Sequence, residues 1–258
     1  MLDYFDIGKD SKGVVVLLHG FCESKEIWGD LPSLLAEEGY KCRAMDLPGF
    51  GLRHHNDLQP SINYFAQKVY ETLQDIPQNV LMIGHSLGGY VTLAFAELFP
   101  EKLSGVCLFH STAYADSEEK KANRNKTIEF IRKNGLDEFL PQLFNGLIAP
   151  QNAFLLKNKL ELVITQARLT TQVEGAINAI LAMRDRPERL SVLQKLSKPI
   201  FWIAGDADSV TPLQSIEEQV KQLPSAKLHI MHNVGHLGMI ENPDLAFQIL
   251  KDIVSSIK

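Results

Sequence analysis

Cysteine is scarce in this chain of 258 residues, which holds three: Cys22, Cys42 and Cys107. An odd number without CxxC spacing excludes the usual paired zinc or redox site, and so few thiols cannot staple a small secreted scaffold. Long apolar runs are also missing, so no stretch approaches the ~20 residues of a membrane-spanning helix. The opening Met1-Leu2-Asp3-Tyr4-Phe5-Asp6 puts carboxylates where a secretory leader would be basic and then apolar. Nor is there an excess of positive charge. The formal net charge is −5, and no basic run stands above the acidic background, which argues against a surface made to neutralise a nucleic-acid backbone. The expectation is a cytoplasmic protein with neither nucleic acid nor membrane as partner.

What the chain does have is a 45% apolar composition, enough to bury one core with an insertion. Short apolar runs at 14–18, 42–45, 80–83, 106–109, 200–204 and 228–231 are bounded by Gly, Pro or Asn. They alternate with amphipathic stretches at 27–38, 62–75, 87–98, 213–223 and 245–257. That alternation predicts an α/β protein with a mostly parallel, twisted sheet flanked by helices and joined by right-handed crossovers. The rhythm breaks between Thr112 and about Leu196, where 118–134 and 153–182 read as consecutive helices without strands. Residues 112–196 are therefore expected to be a helical insertion, with 1–111 and 197–258 forming the core domain. The charged segment 116–126 reads as a solvated helix face.

Gly84-His85-Ser86-Leu87-Gly88-Gly89 follows the apolar run 80–83 and opens a helix. A serine on a sharp strand-to-helix turn projects its hydroxyl clear of the sheet, and glycines must surround it because the backbone is crowded there. The helix beginning at Leu87 aims free N–H groups at the same point, so Leu87 N–H is the expected first donor to an oxyanion. The plainer reading, a turn for packing or phosphate binding, matches neither GxGxxG nor GxxxxGK[ST]. His85 is expected to point away from Ser86 and to be hydrogen-bonded in the core.

A serine hydroxyl needs a base, and the base needs an orienting group. The run 200–204 leads into Gly205-Asp206-Ala207-Asp208, two carboxylates at the end of a buried-type strand, where active sites collect. Either aspartate alone is compatible with an ordinary turn or cap. The next strand leads to His232-Asn233-Val234-Gly235-His236-Leu237-Gly238. His236, flanked by glycines, is the better base, while His229 and His232 stand closer to the strand and read as structural. Serine, acid, histidine is the expected chain order.

In His19-Gly20-Phe21, Asp46-Leu47-Pro48-Gly49-Phe50-Gly51, Gly84-His85-Ser86-Leu87-Gly88-Gly89, Gly205-Asp206-Ala207-Asp208 and Gly235-His236, the chain resembles the α/β-hydrolase superfamily. The resemblance runs over nearly the whole chain except the insertion. It implies that Asp208 is the acid, with Asp206 capping the loop, and that Phe21 supplies the second oxyanion N–H. It also implies that the insertion is a helical cap over the strand ends, for which Phe130, Phe139, Leu143, Phe144, Phe154 and Leu162 are candidate lining residues. After Gly51 the family often continues with a small hydroxyl residue, whereas this chain continues Leu52-Arg53-His54-His55. Adjacent His54 and His55 lack a third ligand nearby, so no metal is expected. Cys22 reads as an inert small side chain, and His110 is a candidate for facing substrate.

The function expected from these residues is a serine hydrolase acting on an ester, lactone or thioester of a small molecule, without cofactor, as a monomer or homodimer. Two alternatives share the scaffold. One is cofactor-independent carbon–carbon hydrolysis or lyase chemistry on the same triad, and the other is a receptor that only binds a small ligand.

Overall fold

The structure, a computed structural model, describes residues 1–53 and 58–257. Seven strands form one sheet: β1 (Tyr4–Ile7), β2 (Val14–Leu18), β3 (Lys41–Met45), β4 (Val80–His85), β5 (Leu103–Phe109), β6 (Ile200–Gly205) and β7 (Ala226–Met231). Their spatial order is β1-β3-β2-β4-β5-β6-β7, and every pairing is parallel except that of β1 with β3. The interior strands read as unbroken apolar runs because helices cover both faces; each residue of β2, β4 and β6 is buried.

Strand β1 escaped the sequence reading, since Tyr4-Phe5-Asp6-Ile7 is short and carries a charge. Its place is fixed by Arg43 on β3, which is buried and forms a bidentate pair with Asp6 (2.6 and 2.7 Å) while lying 4.0 Å from the Tyr4 ring.

The core helices are α1 (Leu31–Glu37), α2 (Ile62–Thr72) and α3 (Leu87–Leu98). The stretch expected as one helix from Ile27 is divided, with a 3₁₀ turn at Lys25–Trp28 and then α1, because Gly29 takes φ 52° between them. Next come α4 (Glu118–Asn134), α5 (Leu136–Asn145), α6 (Ala153–Thr170), α7 (Val173–Asp185) and α8 (Leu190–Lys195), consecutive helices without a named strand between them. The chain then closes with α9 (Leu213–Val220), α10 (Gly238–Glu241) and α11 (Pro243–Ser256).

Buried polar contacts anchor the α4–α8 segment to the core. Arg186 bonds Asp116 at 2.8 Å and stacks 3.8 Å from the Tyr90 ring on α3. Arg189 reaches Glu97 on α3 and Asn63 on α2, and the buried Gln219 amide on α9 accepts from Ala113 N–H and Thr112 Oγ1.

Candidate active site

Strand β4 runs straight into Ser86, whose φ of 49° and ψ of −110° turn the chain sharply into α3. A non-glycine residue at positive φ costs roughly 1–2 kcal/mol, so its neighbours must hold it there. Ser86 N–H donates to Phe109 O at 3.0 Å, and Ser86 O accepts from Ser111 Oγ at 2.8 Å and from Gly89 N–H at 2.9 Å. The glycines around it are obligatory. A Cβ on Gly84 would lie 2.2 Å from Gly88 O, and one on Gly88 would lie 2.3 Å from Leu18 O. Ser86 is half-buried, and among the described residues its hydroxyl donates to nothing.

Asp208 sits in the turn after β6, buried, and its carboxylate is fully committed. Oδ1 accepts from Val210 and Thr211 N–H at 2.8 and 3.0 Å, while Oδ2 accepts from Thr211 Oγ1 at 2.6 Å and from His236 Nδ1 at 2.7 Å. Since an ionised carboxylate only accepts, Nδ1 of His236 carries the proton and Nε2 presents a lone pair. Burial alone would raise the Asp208 pKa, but the attraction and the hydrogen bond of the adjacent His236 imidazole hold it well below the usual carboxylate range. His236 is itself buried, its N–H donating to Leu147 O at 2.7 Å and its carbonyl meeting His85 Nε2 at 2.8 Å. That last contact brings the base loop onto the residue that precedes Ser86.

His19 Nδ1 meets Gly20 O at 2.7 Å and Nε2 accepts from Leu47 N–H at 2.9 Å, which ties the Phe21 loop to the chain after β3. Phe21 packs edge-on to Phe50 and lies 6.2 Å, ring to ring, from Phe139 on α5. Neither Phe21 N–H nor Leu87 N–H is taken by an acceptor among the described residues. Burial pushes the Cys22 thiol well above its ordinary value, in keeping with an inert side chain.

His110 sits behind Asp208 instead of out in a pocket. It is fully buried at φ 46°, its Nδ1 accepts from Gly205 N–H at 3.1 Å and stands 3.4 Å from Asp208 Oδ2, and burial pushes its pKa down to about 4. Asp206 caps the loop as expected, accepting from Asn233 N–H at 2.7 Å and pairing with His232. His85 is buried and bonded on both ring nitrogens. No group of three or more His, Cys, Asp or Glu suited to a metal ion exists among the described residues; His54 and His55 lie outside them.

The expected lining residues divide. Phe144 is wholly buried, Phe139 faces Phe21, and Phe154 and Leu162 on α6 stand 89% and 71% exposed. A mainly apolar groove of about 350 Å³ runs between α6 and the segment after Phe21, walled by Cys22, Ile27, Leu162, Val163, Ala167 and Ile240 among others, and Ser86 is not in its wall.

Two carboxylates were missed. Glu241 on α10 accepts from Gly235 and Leu237 N–H on the base loop and from Ala149 N–H and Asn152 Nδ2 beyond α5. Glu23 accepts from Gly20 N–H and meets His85. Nothing local in the sequence marks either one, because their partners lie in loops from other strands.

Fold and site define a class: a mostly parallel sheet with a serine elbow at the end of a central strand and a histidine–aspartate pair on the loops beside it. The sequence matches the alpha/beta hydrolase fold family over residues 13–243, and the chain belongs to that family. It is 26% identical to a Bacillus subtilis (strain 168) protein named as a candidate 2-succinyl-6-hydroxy-2,4-cyclohexadiene-1-carboxylate synthase, over 98% of this chain and 94% of the relative. It is 23% identical to Lipase 1 of Psychrobacter immobilis, over 93% and 76% of the two chains. Among solved structures, a thermophilic esterase from Thermogutta terrifontis superposes with a TM-score of 0.92 at 25% identity, covering 99% of this chain and 93% of that one. The expected α/β-hydrolase enzyme class is borne out. No helix among the described residues is long and apolar enough to cross a membrane.

Proposed function

We propose that the protein is a serine hydrolase that cleaves carboxylic esters of small molecules through an acyl-enzyme. The observation that carries this reading is the 2.7 Å bond from His236 Nδ1 to Asp208, which leaves Nε2 basic on a loop bonded to the nucleophile turn. Ser86 Oγ attacks the ester carbonyl as His236 Nε2 takes its proton, and Asp208 holds the imidazolium that forms. The carbonyl oxygen becomes an oxyanion that accepts from Phe21 and Leu87 N–H, at the positive end of α3. His236 then protonates the departing alcohol oxygen, the C–O bond breaks, and the acyl group stays on Ser86. Water, deprotonated by the same imidazole, adds to the acyl carbon, the C–O bond to Ser86 breaks as His236 returns the proton to Oγ, and the acid leaves.

The helices of residues 112–196 act in this reading as a cap that limits substrate size and excludes water. Lipase and esterase relatives support the ester bond, and the synthase-named relative favours a second reading in which the same triad acts on a non-ester substrate. A p-nitrophenyl ester series from acetyl to octanoyl tests the first. Turnover in the wild type and a rate near background in Ser86→Ala are expected; equal activity in both proteins, or none in either, contradicts it.

A further inference from the structure

Glu23 and His85 are both buried, side chains at most 1% exposed, and neither takes part in the chemistry just described. Glu23 Oε2 accepts from Gly20 N–H at 2.6 Å and lies 2.9 Å from His85 Nδ1, while His85 Nε2 lies 2.8 Å from the carbonyl oxygen of His236. Gly20 immediately precedes the oxyanion donor Phe21, and His85 immediately precedes Ser86. Two side chains therefore join all three working segments of the site.

The hydrogen-bond inventory narrows their state to two forms. A carbonyl oxygen only accepts, so His85 Nε2 must carry a proton. Oε2 already accepts from Gly20, and a carboxylate there requires a second proton, on Nδ1. The pair is either imidazolium and carboxylate or, with that proton on Oε2, neutral imidazole and carboxylic acid. Burial works against both charges, yet each partner's charge prevails: the His85 pKa is raised and that of Glu23 lowered. The site also has no room for variation, since a Cβ on Gly20 would lie 2.7 Å from His85 Nδ1 and 2.8 Å from Glu23 Oε2.

We infer that Glu23 and His85 are positioning residues, a buried clamp that locks the oxyanion loop and the base loop to the nucleophile turn. The inference rests on the serine-hydrolase reading for its effect on turnover. Neutral substitutes cannot satisfy the clamp: a glutamine at 23 can accept from Gly20 N–H or donate to a neutral His85, but not both in this geometry. One loop is released whichever way the amide turns. Misplacing a reacting group by about 1 Å costs on the order of 100-fold in rate.

The test is Glu23→Gln, with His85→Gln as the second variant should the first not fold, and with the double variant. Sites are counted by titration with a fluorophosphonate, so that kcat refers to folded, labelled enzyme. The expected result is a kcat lower by roughly 10–100-fold with KM within about twofold, and a double variant little worse than either single one. A purely structural role would lower the melting temperature and leave kcat per site unchanged, which overturns the inference. Hydrogen exchange reads the clamp without substrate: the variants should exchange faster in both the 19–23 and the 232–238 segments. Protection unchanged in 232–238 also overturns it. If the wild type fails to hydrolyse esters or to label at Ser86 while both segments loosen in the variants, the esterase reading falls and the clamp stands.

Discussion

At the scale of the residue, the surroundings of Asp208 define what it would contribute to the proposed mechanism. Asp208 has four protein donors, three of which belong to Val210 and Thr211. Asp208→Asn should therefore fold, because an amide oxygen can keep some of those contacts. Its NH₂ group, though, would face His236 Nδ1 with a donor, driving the proton to Nε2 where the base needs a lone pair. Steady-state kinetics should show kcat reduced by roughly 10⁴-fold with little change in KM; a loss below about tenfold would remove Asp208 from the assigned role. The turn at Ser86 and the loops that bring Asp208 and His236 together could be expected from the sequence because each of these residues lies in a local glycine-rich pattern at a strand end. Glu23 and Glu241 could not, since what gives them meaning is the meeting of loops 62 residues apart in one case and 92 in the other.

Among the elements, α10 shows how residues 112–196 and the His236 loop are coupled. It is a single turn, Gly238–Glu241, and its last residue holds Gly235 and Leu237 N–H with one oxygen and Ala149 N–H with the other. Glu241→Ala strands these donors, and each buried N–H left unpaired costs about 1–3 kcal/mol. Urea denaturation should register a loss of that order or more, with kcat per titrated site falling as the His236 loop slackens. Stability loss with undiminished kcat would show that the Glu23–His85 clamp alone suffices to hold the base. The consecutive helices of residues 112–196 could be read from the missing strands in that segment. Their seating could not, because it depends on Arg186 against Asp116 and Tyr90 and on Gln219 against residues 112 and 113. Strand β1 was hidden for the same reason, its Asp6 meaning nothing until Arg43 is opposite.

For the molecule as a whole, buried charge pairs tie stability to pH. Burial pushes the pKa values of Glu23, Asp116 and Asp208 upward, but their cationic partners hold all three below the ordinary values of 4.5 for Glu and 3.8 for Asp. A group whose folded pKa is depressed adds stability above its unfolded pKa and loses it as pH falls through the gap. Folding free energy should thus decline increasingly steeply below about pH 4.5. In Asp116→Asn, urea titrations from pH 6 to pH 3 should start from a lower plateau and fall less steeply. An equal slope in both proteins would mean that the Asp116 cluster does not keep its charge in the fold.

The central claim is that Ser86 becomes acylated. Rapid quenching with a p-nitrophenyl ester followed by intact-mass and peptide mapping tests it directly. One acyl group per chain is expected, on the peptide carrying Ser86, absent from Ser86→Ala and formed far more slowly when His236 is replaced, because its Nε2 takes the serine proton. Ester turnover without a covalent adduct, or the same adduct in Ser86→Ala, would contradict it.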